Sequence, residues 1–158
     1  MMAGFLRPAA GRLCWQGVSI EHDLAHYRRQ LCYLGHADAV KGGLTVRENL
    51  LFALALQRGQ PGPDPVAGAL ERFDLTTLCD TPGRYLSAGQ RRRVALARLL
   101  TGPHLLWLLD EPGVGLDAAS RARLEDVVAL HRRQGGMIAL ASHGDTTVGD
   151  AKVLELGT

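Results

Sequence analysis

The chain has 158 residues and a mass of 17.0 kDa, with 46% hydrophobic and 22% charged residues. That is enough for one ordinary hydrophobic core and excludes a disordered or fibrous polypeptide. Its 18 basic and 16 acidic side chains give a formal net charge of +2, too small to bind nucleic acid or anionic lipid through bulk electrostatics, so no nucleic-acid partner is expected. Cys14, Cys32 and Cys79 form no C-x-x-C pair, which argues against a disulfide framework or zinc site and for a reducing compartment. No apolar run approaches the roughly 18 residues that a membrane span requires, and a soluble chain able to dock on a membrane protein is expected.

In chain order, Met1 to Arg7 reads as the last turns of an apolar helix stopped by Pro8, as if the chain began inside an element. Leu13 to Ile20 reads as a short strand segment with a turn at Gln16-Gly17, Asp23 to Arg29 as a short helix, and Leu31 to Leu34 as a buried strand. Thr45-Val46-Arg47-Glu48 has capping-box spacing and precedes apolar residues at helical intervals, predicting a helix from about Val46 to Gln57. A Pro/Gly hinge, Gln60 to Pro65, leads into a second helix from about Pro65 to Phe73. Residues 45 to 80 therefore read as a helical insert.

Ser87-Ala88-Gly89-Gln90 repeats the capping-box pattern and opens a helix that runs to the stop at Gly102-Pro103. Leu105 to Leu109 is a continuous apolar run, the pattern of a central parallel strand covered on both faces. Ala118 to Arg133 reads as a helix ended by Gly135-Gly136, Met137 to Ala141 as the next buried strand, and Lys152 to Leu156 as a final edge strand. Strand, helix and strand in this order define an α/β sheet.

Several residues in this frame are suited to phosphate chemistry. Asp110 and Glu111 follow the apolar run and fall at the carboxyl end of a parallel strand, where open α/β sheets bind ligands. One carboxylate there can hold Mg²⁺ through its water shell, and the next can orient a water for attack on a phosphoryl group. An acidic strand-to-loop junction without function fits the same residues. Ser87 to Gln90 is either a plain N-cap or an anion site, in which helix-start amides, a small Gly89 and the Ser87 hydroxyl approach a terminal phosphate. Arg91-Arg92-Arg93 reads as a solvated face with one or two salt bridges. Asp117 reads first as the N-cap of the following helix, and His143, just past a strand end, as a candidate hydrogen-bond partner of a γ-phosphate.

The order of these motifs is far more specific than any one of them. Leu86-Ser87-Ala88-Gly89-Gln90, then Leu105 to Asp110, Glu111, Leu116-Asp117 and finally His143 resembles the nucleotide-binding subunit of ABC transporters. The resemblance implies a P-loop NTPase-like α/β ABC domain over residues 1–158, with a helical subdomain and signature helix at approximately 45–100. It makes Ser87, Ala88, Gly89 and Gln90 the signature, Asp110 the Mg²⁺ ligand at the end of the Walker B strand, Glu111 the catalytic carboxylate, Asp117 part of the D-loop and His143 the switch histidine. His36 stands where most relatives have the Q-loop glutamine. ATP and Mg²⁺ are the implied cofactors, with a head-to-tail homodimer in the full-length form.

Arg12 to Gly17, Tyr33-Leu34-Gly35-His36, the signature with Ala88 where most relatives have Gly, Arg92 to Leu99, Leu106 to Pro112 and His131 resemble the haem-exporter branch of that family, which acts in cytochrome c maturation. This implies transmembrane ABC subunits as partners and a peripheral place on the cytoplasmic face of a bacterial inner membrane. The alternatives are a degenerate, non-catalytic subunit that acts as an interaction partner, and an ABC ATPase for another cargo.

One motif is missing from the sequence. Lys41 and Lys152 are the only lysines, and neither lies in G-x-x-x-x-G-K-[ST]. In the family the P-loop directly precedes the helix whose tail is read at Met1 to Leu6, so the N-terminal strands and P-loop are expected to lie outside these 158 residues. Unpaired sheet edges then favour self-association. Because P-loop amides and lysine supply most charge-assisted contacts to the β- and γ-phosphates, the 158-residue chain on its own should show no saturable binding of labelled ATP at micromolar concentrations. A saturable isotherm in that range would contradict the prediction.

Overall fold

A computed structural model describes residues 2–56, 65–141 and 151–153. The apolar run predicted as a central strand forms β4 (Leu106–Asp110), and it lies between β3 (Leu31–Leu34) and β5 (Met137–Ala141) in a three-stranded sheet. Both pairings are parallel, with Leu31 opposite Leu106 on one side and Asp110 opposite Ala141 on the other. A two-stranded antiparallel hairpin, β1 (Cys14–Trp15) and β2 (Val18–Ser19), stands apart from this sheet. Its turn lies at Gln16-Gly17, both at positive φ, as expected of a tight hairpin connection.

The alternation of side chains along β4 divides the core in two. Trp107 and Leu109 pack into a large cluster with Val46 and Leu50 of α2 (Val46–Leu56), Val66 and Leu70 of α3 (Pro65–Arg72), Val94 and Leu96 of α4 (Ala88–Ala97), and Leu124 and Val127 of α5 (Ala118–Arg133). Leu106 and Leu108 face the opposite way, into a smaller cluster with Ile20 and with Tyr27 of α1 (Leu24–Arg29). The central strand β4 is covered on both faces, as expected, whereas β5, read from the sequence as a buried strand, is exposed at Met137 and Ala141 and only half-buried between them.

Helix boundaries follow their caps. Asp23 accepts from the His26 N–H and starts α1, and Thr45 and Glu48 close the box that starts α2, with bonds of 2.8 and 3.2 Å. α4 gives way to a 3₁₀ turn over Arg98–Leu100 before the stop at Gly102. The Gly135-Gly136 pair ends α5, with Gly135 at φ +86°, and any Cβ at Gly136 would run into the His131 ring.

The N-terminal segment departs from expectation. Residues 2–6 form turns and bends and no helix, with Gly4 at φ +71°. Their carbonyls are taken by distant donors: the Tyr27 hydroxyl donates to Met2 O at 2.6 Å and Arg28 Nη2 to Gly4 O at 2.7 Å. Lys152 and Val153 carry no strand, and the rest of that predicted strand, like Gln57 and most of the Pro/Gly hinge, lies outside the described residues.

Near the amino end of β4, His131 stacks on Trp107 at 3.7 Å and 5° between rings, and His104 is buried close by. Burial, reinforced by His131, pushes the His104 imidazole down from 6.5 to about 4. His104 is therefore neutral in the folded chain and protonates in the unfolded chain first, so its contribution is present above pH 6.5 and is lost as pH falls towards 4. The shift corresponds to about 2 kcal/mol lost between pH 6.5 and 5. Urea unfolding across that range should show this slope, and His104→Gln should flatten it; an equal slope in both proteins would contradict the assignment.

Candidate functional site

The parallel sheet places its chemistry at one edge. Asp110 is the last paired residue of β4, and Glu111 is the first beyond it. The Glu111 N–H donates to Ala141 O of β5 at 2.9 Å, and its backbone sits at φ +45°. A left-handed conformation is uncommon for a residue with a Cβ and persists where the surroundings hold it in place. The Glu111 carboxylate lies 3.9 Å from Nδ1 of His36, in the loop after β3. The fold brings the His36 and Glu111 side chains together and sets Asp110 next to them on β4.

That loop is rigidly built. Asn49, buried in the first turns of α2, accepts from the Lys41 N–H at 2.8 Å and donates to the carbonyls of Lys41, Leu44 and Thr45. The sequence reading passed over Asn49, although a polar residue on the buried side of a helix start is a usable signal.

Ser87 is the N-cap of α4, and its capping box is complete: Ser87 Oγ accepts from the Gln90 N–H at 3.2 Å, and Gln90 Oε1 accepts from the Ser87 N–H at 2.8 Å. Ala88 and Gly89 form the exposed or half-exposed first turn. A Cβ on Gly89 would approach Gly115 O at 3.8 Å, so this turn sits beside the loop that follows Glu111. Asp117 caps α5 by accepting from the Ser120 N–H at 2.7 Å, and that bond, with Arg93 and Arg123 nearby, lowers its carboxyl pKa. β5 ends at Ala141, and His143 lies outside the described residues.

The three consecutive arginines are not a solvated face. Arg91 Nη1 donates to Leu86 O at 2.6 Å. Arg93 Nη1 donates to Phe73 O and Asp74 O just past α3 and pairs with the Asp74 carboxylate at 3.2 Å. Arg92 is 5% exposed, pairs with Asp38 at 3.1 Å, and reaches backbone carbonyls at the ends of both β3 and β4. Three adjacent helical positions point in three directions, about 100° apart, so one side chain of such a run must turn inward when the helix is half-buried.

Comparison with known proteins identifies the family. The family described as ABC transporter matches residues 1–114. The chain belongs to that family, as an α/β ABC nucleotide-binding domain among the ABC-type ATPases. Its branch is that of the cytochrome c biogenesis ATP-binding export proteins called CcmA. It is 47% identical over 158 residues to the CcmA of Paramagnetospirillum magneticum, covering 99% of this chain and 73% of that protein. It is also 47% identical over 156 residues to the CcmA of Rhodospirillum rubrum, covering 99% of this chain and 66% of that protein. The chain thus spans about two thirds to three quarters of these relatives. A dimeric ATP-binding cassette in a post-hydrolysis state, bound to ADP and Pi, has the same fold at a TM-score of 0.77 and 21% identity, covering 89% of this chain and 66% of that one.

Removing the Ser87 hydroxyl leaves the Gln90 amide without its acceptor. Ser87→Ala should cost about 1 kcal/mol of stability, read as a shift in urea midpoint, and Ser87→Asn should recover most of it; no shift in the alanine variant would contradict the cap.

Proposed function

We propose that the complete protein is the ATP-hydrolysing subunit of an export complex for haem in cytochrome c maturation. The observation that carries the reading is the Asp110-Glu111 pair at the carboxyl end of β4, with Glu111 held at φ +45° and its carboxylate beside His36. Membership in the CcmA branch supports the cargo class and the partners.

In this reading Glu111 accepts a hydrogen bond from the attacking water and aims it at the γ-phosphate. Ser87 Oγ already accepts from the Gln90 N–H, which leaves its own proton free to donate to a phosphate oxygen. The α4 amino terminus and Gly89 let that phosphate approach closely. Ser87 to Gln90 of one copy faces the nucleotide of a second copy, head to tail, and Asp117 lies at the junction between the two. His36 lies beside the water-orienting carboxylate, and His143 contacts the γ-phosphate.

Asp110 offers oxygen donors only, makes no ion pair among the described residues, and is incompletely buried. That donor chemistry fits a hard cation such as Mg²⁺. Bound Mg²⁺ supplies charge neutralisation of the phosphates, and Asp110 is the residue of this chain that holds it.

For docking, the reading uses residues from His36 through the helical subdomain at approximately 45–100. Leu51, Phe52 and Leu56 are exposed on α2, an apolar surface available to transmembrane subunits. Among the described residues no helix is long and apolar enough to cross a membrane. Peripheral attachment at the cytoplasmic face of a bacterial inner membrane follows from that partner.

The deciding experiment is Glu111→Gln in protein that carries a P-loop segment ahead of Met1, assembled with its membrane partners. Turnover should fall by about 10²-fold or more while ATP binding is retained. Wild-type turnover in that variant would overturn the assignment of Glu111.

A further inference from the structure

The Glu111 peptide is held from two sides. Its N–H donates to Ala141 O of β5, and its carbonyl accepts from Arg92 Nη2 at 2.6 Å and, more weakly, from the Val114 N–H at 3.2 Å. The same nitrogen reaches Asp110 O at 3.3 Å, while Nη1 reaches Gly35 O at 3.3 Å and Asp38 Oδ1 at 3.1 Å. One buried guanidinium on the signature helix therefore bridges the carboxyl ends of β3 and β4. Gly35 is the residue immediately before His36, so the two backbone segments that carry His36 and Glu111 are tied to a single planar group.

We propose that Arg92 is a positioning residue for ATP hydrolysis. It fixes the left-handed Glu111 peptide and the approach of the His36 loop, and it transmits any displacement of the signature helix to the water-orienting carboxylate. The inference rests on the reading of Glu111 given above. Three features support it. A strained φ of +45° is kept only where neighbouring bonds over-determine it, and the 2.6 Å bond from Arg92 does so together with those to Ala141 O and from the Val114 N–H. The guanidinium is 5% exposed, so its charge-assisted bonds are made in a site poor in water, where they are strong. Arg92 sits five residues after Ser87 on a helix whose first turn faces the nucleotide of the other copy in that reading, so helix and carboxylate move as one body.

The test uses Arg92→Met and Arg92→Lys in the P-loop-bearing, partner-assembled protein, beside Glu111→Gln as the reference. Arg92→Met removes every carbonyl contact at similar length; kcat should fall by about 10²-fold, the loss expected when a reacting group is displaced by about 1 Å. The KM for ATP should stay within about threefold, because the binding contacts lie elsewhere. Arg92→Lys keeps the charge without the fork and should regain part of kcat. If Arg92→Met does not fold, Arg92→Lys carries the test alone, with kcat reduced about 10-fold at unchanged KM. Wild-type kcat in the folded variants would overturn the proposal, as would a loss of activity that disappears when turnover is expressed per ATP-binding molecule. Full turnover in Glu111→Gln is a separate result, and it refutes the reading of Glu111 instead.

Discussion

Because β4 is buried on both faces and paired on both edges, each of its four boundaries must be supplied by another element, and the rest of the fold is organised around that demand. β3 and β5 cover the edges in parallel register. The helices α2 to α5 cover Trp107 and Leu109, while α1 and the Ile20 region cover Leu106 and Leu108. Parallel pairing requires long crossovers, and these crossovers are the helices themselves. The stretch between β3 and β4 holds α2, α3 and α4, and the shorter stretch between β4 and β5 holds α5. The carboxylates owe their place to the same constraint. The apolar run that fills β4 stops at Leu109, so Asp110 and Glu111 emerge together at the sheet's carboxyl edge.

The backbone of Glu111 is also expensive to hold. Its left-handed backbone costs of the order of 1–3 kcal/mol unless neighbours enforce it. Here a β5 carbonyl holds its N–H, and the Arg92 guanidinium and the Val114 N–H hold its carbonyl. Burying that guanidinium is itself unfavourable, and the Asp38 partner with three carbonyls offsets the cost by satisfying four directions at once.

The sheet, the capping boxes and the carboxylate pair were legible in the sequence because each is written in consecutive residues. An apolar run of strand length, Thr-x-x-Glu and Ser-x-x-Gln are short-range patterns, and short-range geometry decides them. The N-terminal segment misled for the opposite reason. Met2 to Leu6 is apolar enough to suggest a helix, but its carbonyls are claimed by Tyr27 and Arg28, more than 20 residues away. Arg92 was equally hidden. Nothing in three identical residues says which one faces inward until the partners at Gly35, Asp38, Asp110 and Glu111 are known.

The scarcity of lysine has a structural counterpart. Sixteen of the 18 basic residues are arginine, and many act as clamps on backbone carbonyls. Arg28 holds Gly4, Arg91 holds Leu86, Arg93 holds the chain after α3, and Arg98 reaches Asp38 O. A guanidinium presents five donors in a fixed plane, so it can serve two chain segments at once, whereas an ammonium is a compact and strongly hydrated point charge. Lys41 shows the contrast: its ammonium lies 4.7 Å from the centre of the Phe52 ring and no described carbonyl is bonded to it. Where the candidate site residues sit at the ends of strands and in the loops beyond them, loop position must come from bonds to main chain. Arginine on the covering helices provides them, and Arg92→Lys would keep the charge without the planar fork that reaches Gly35 O and Glu111 O together.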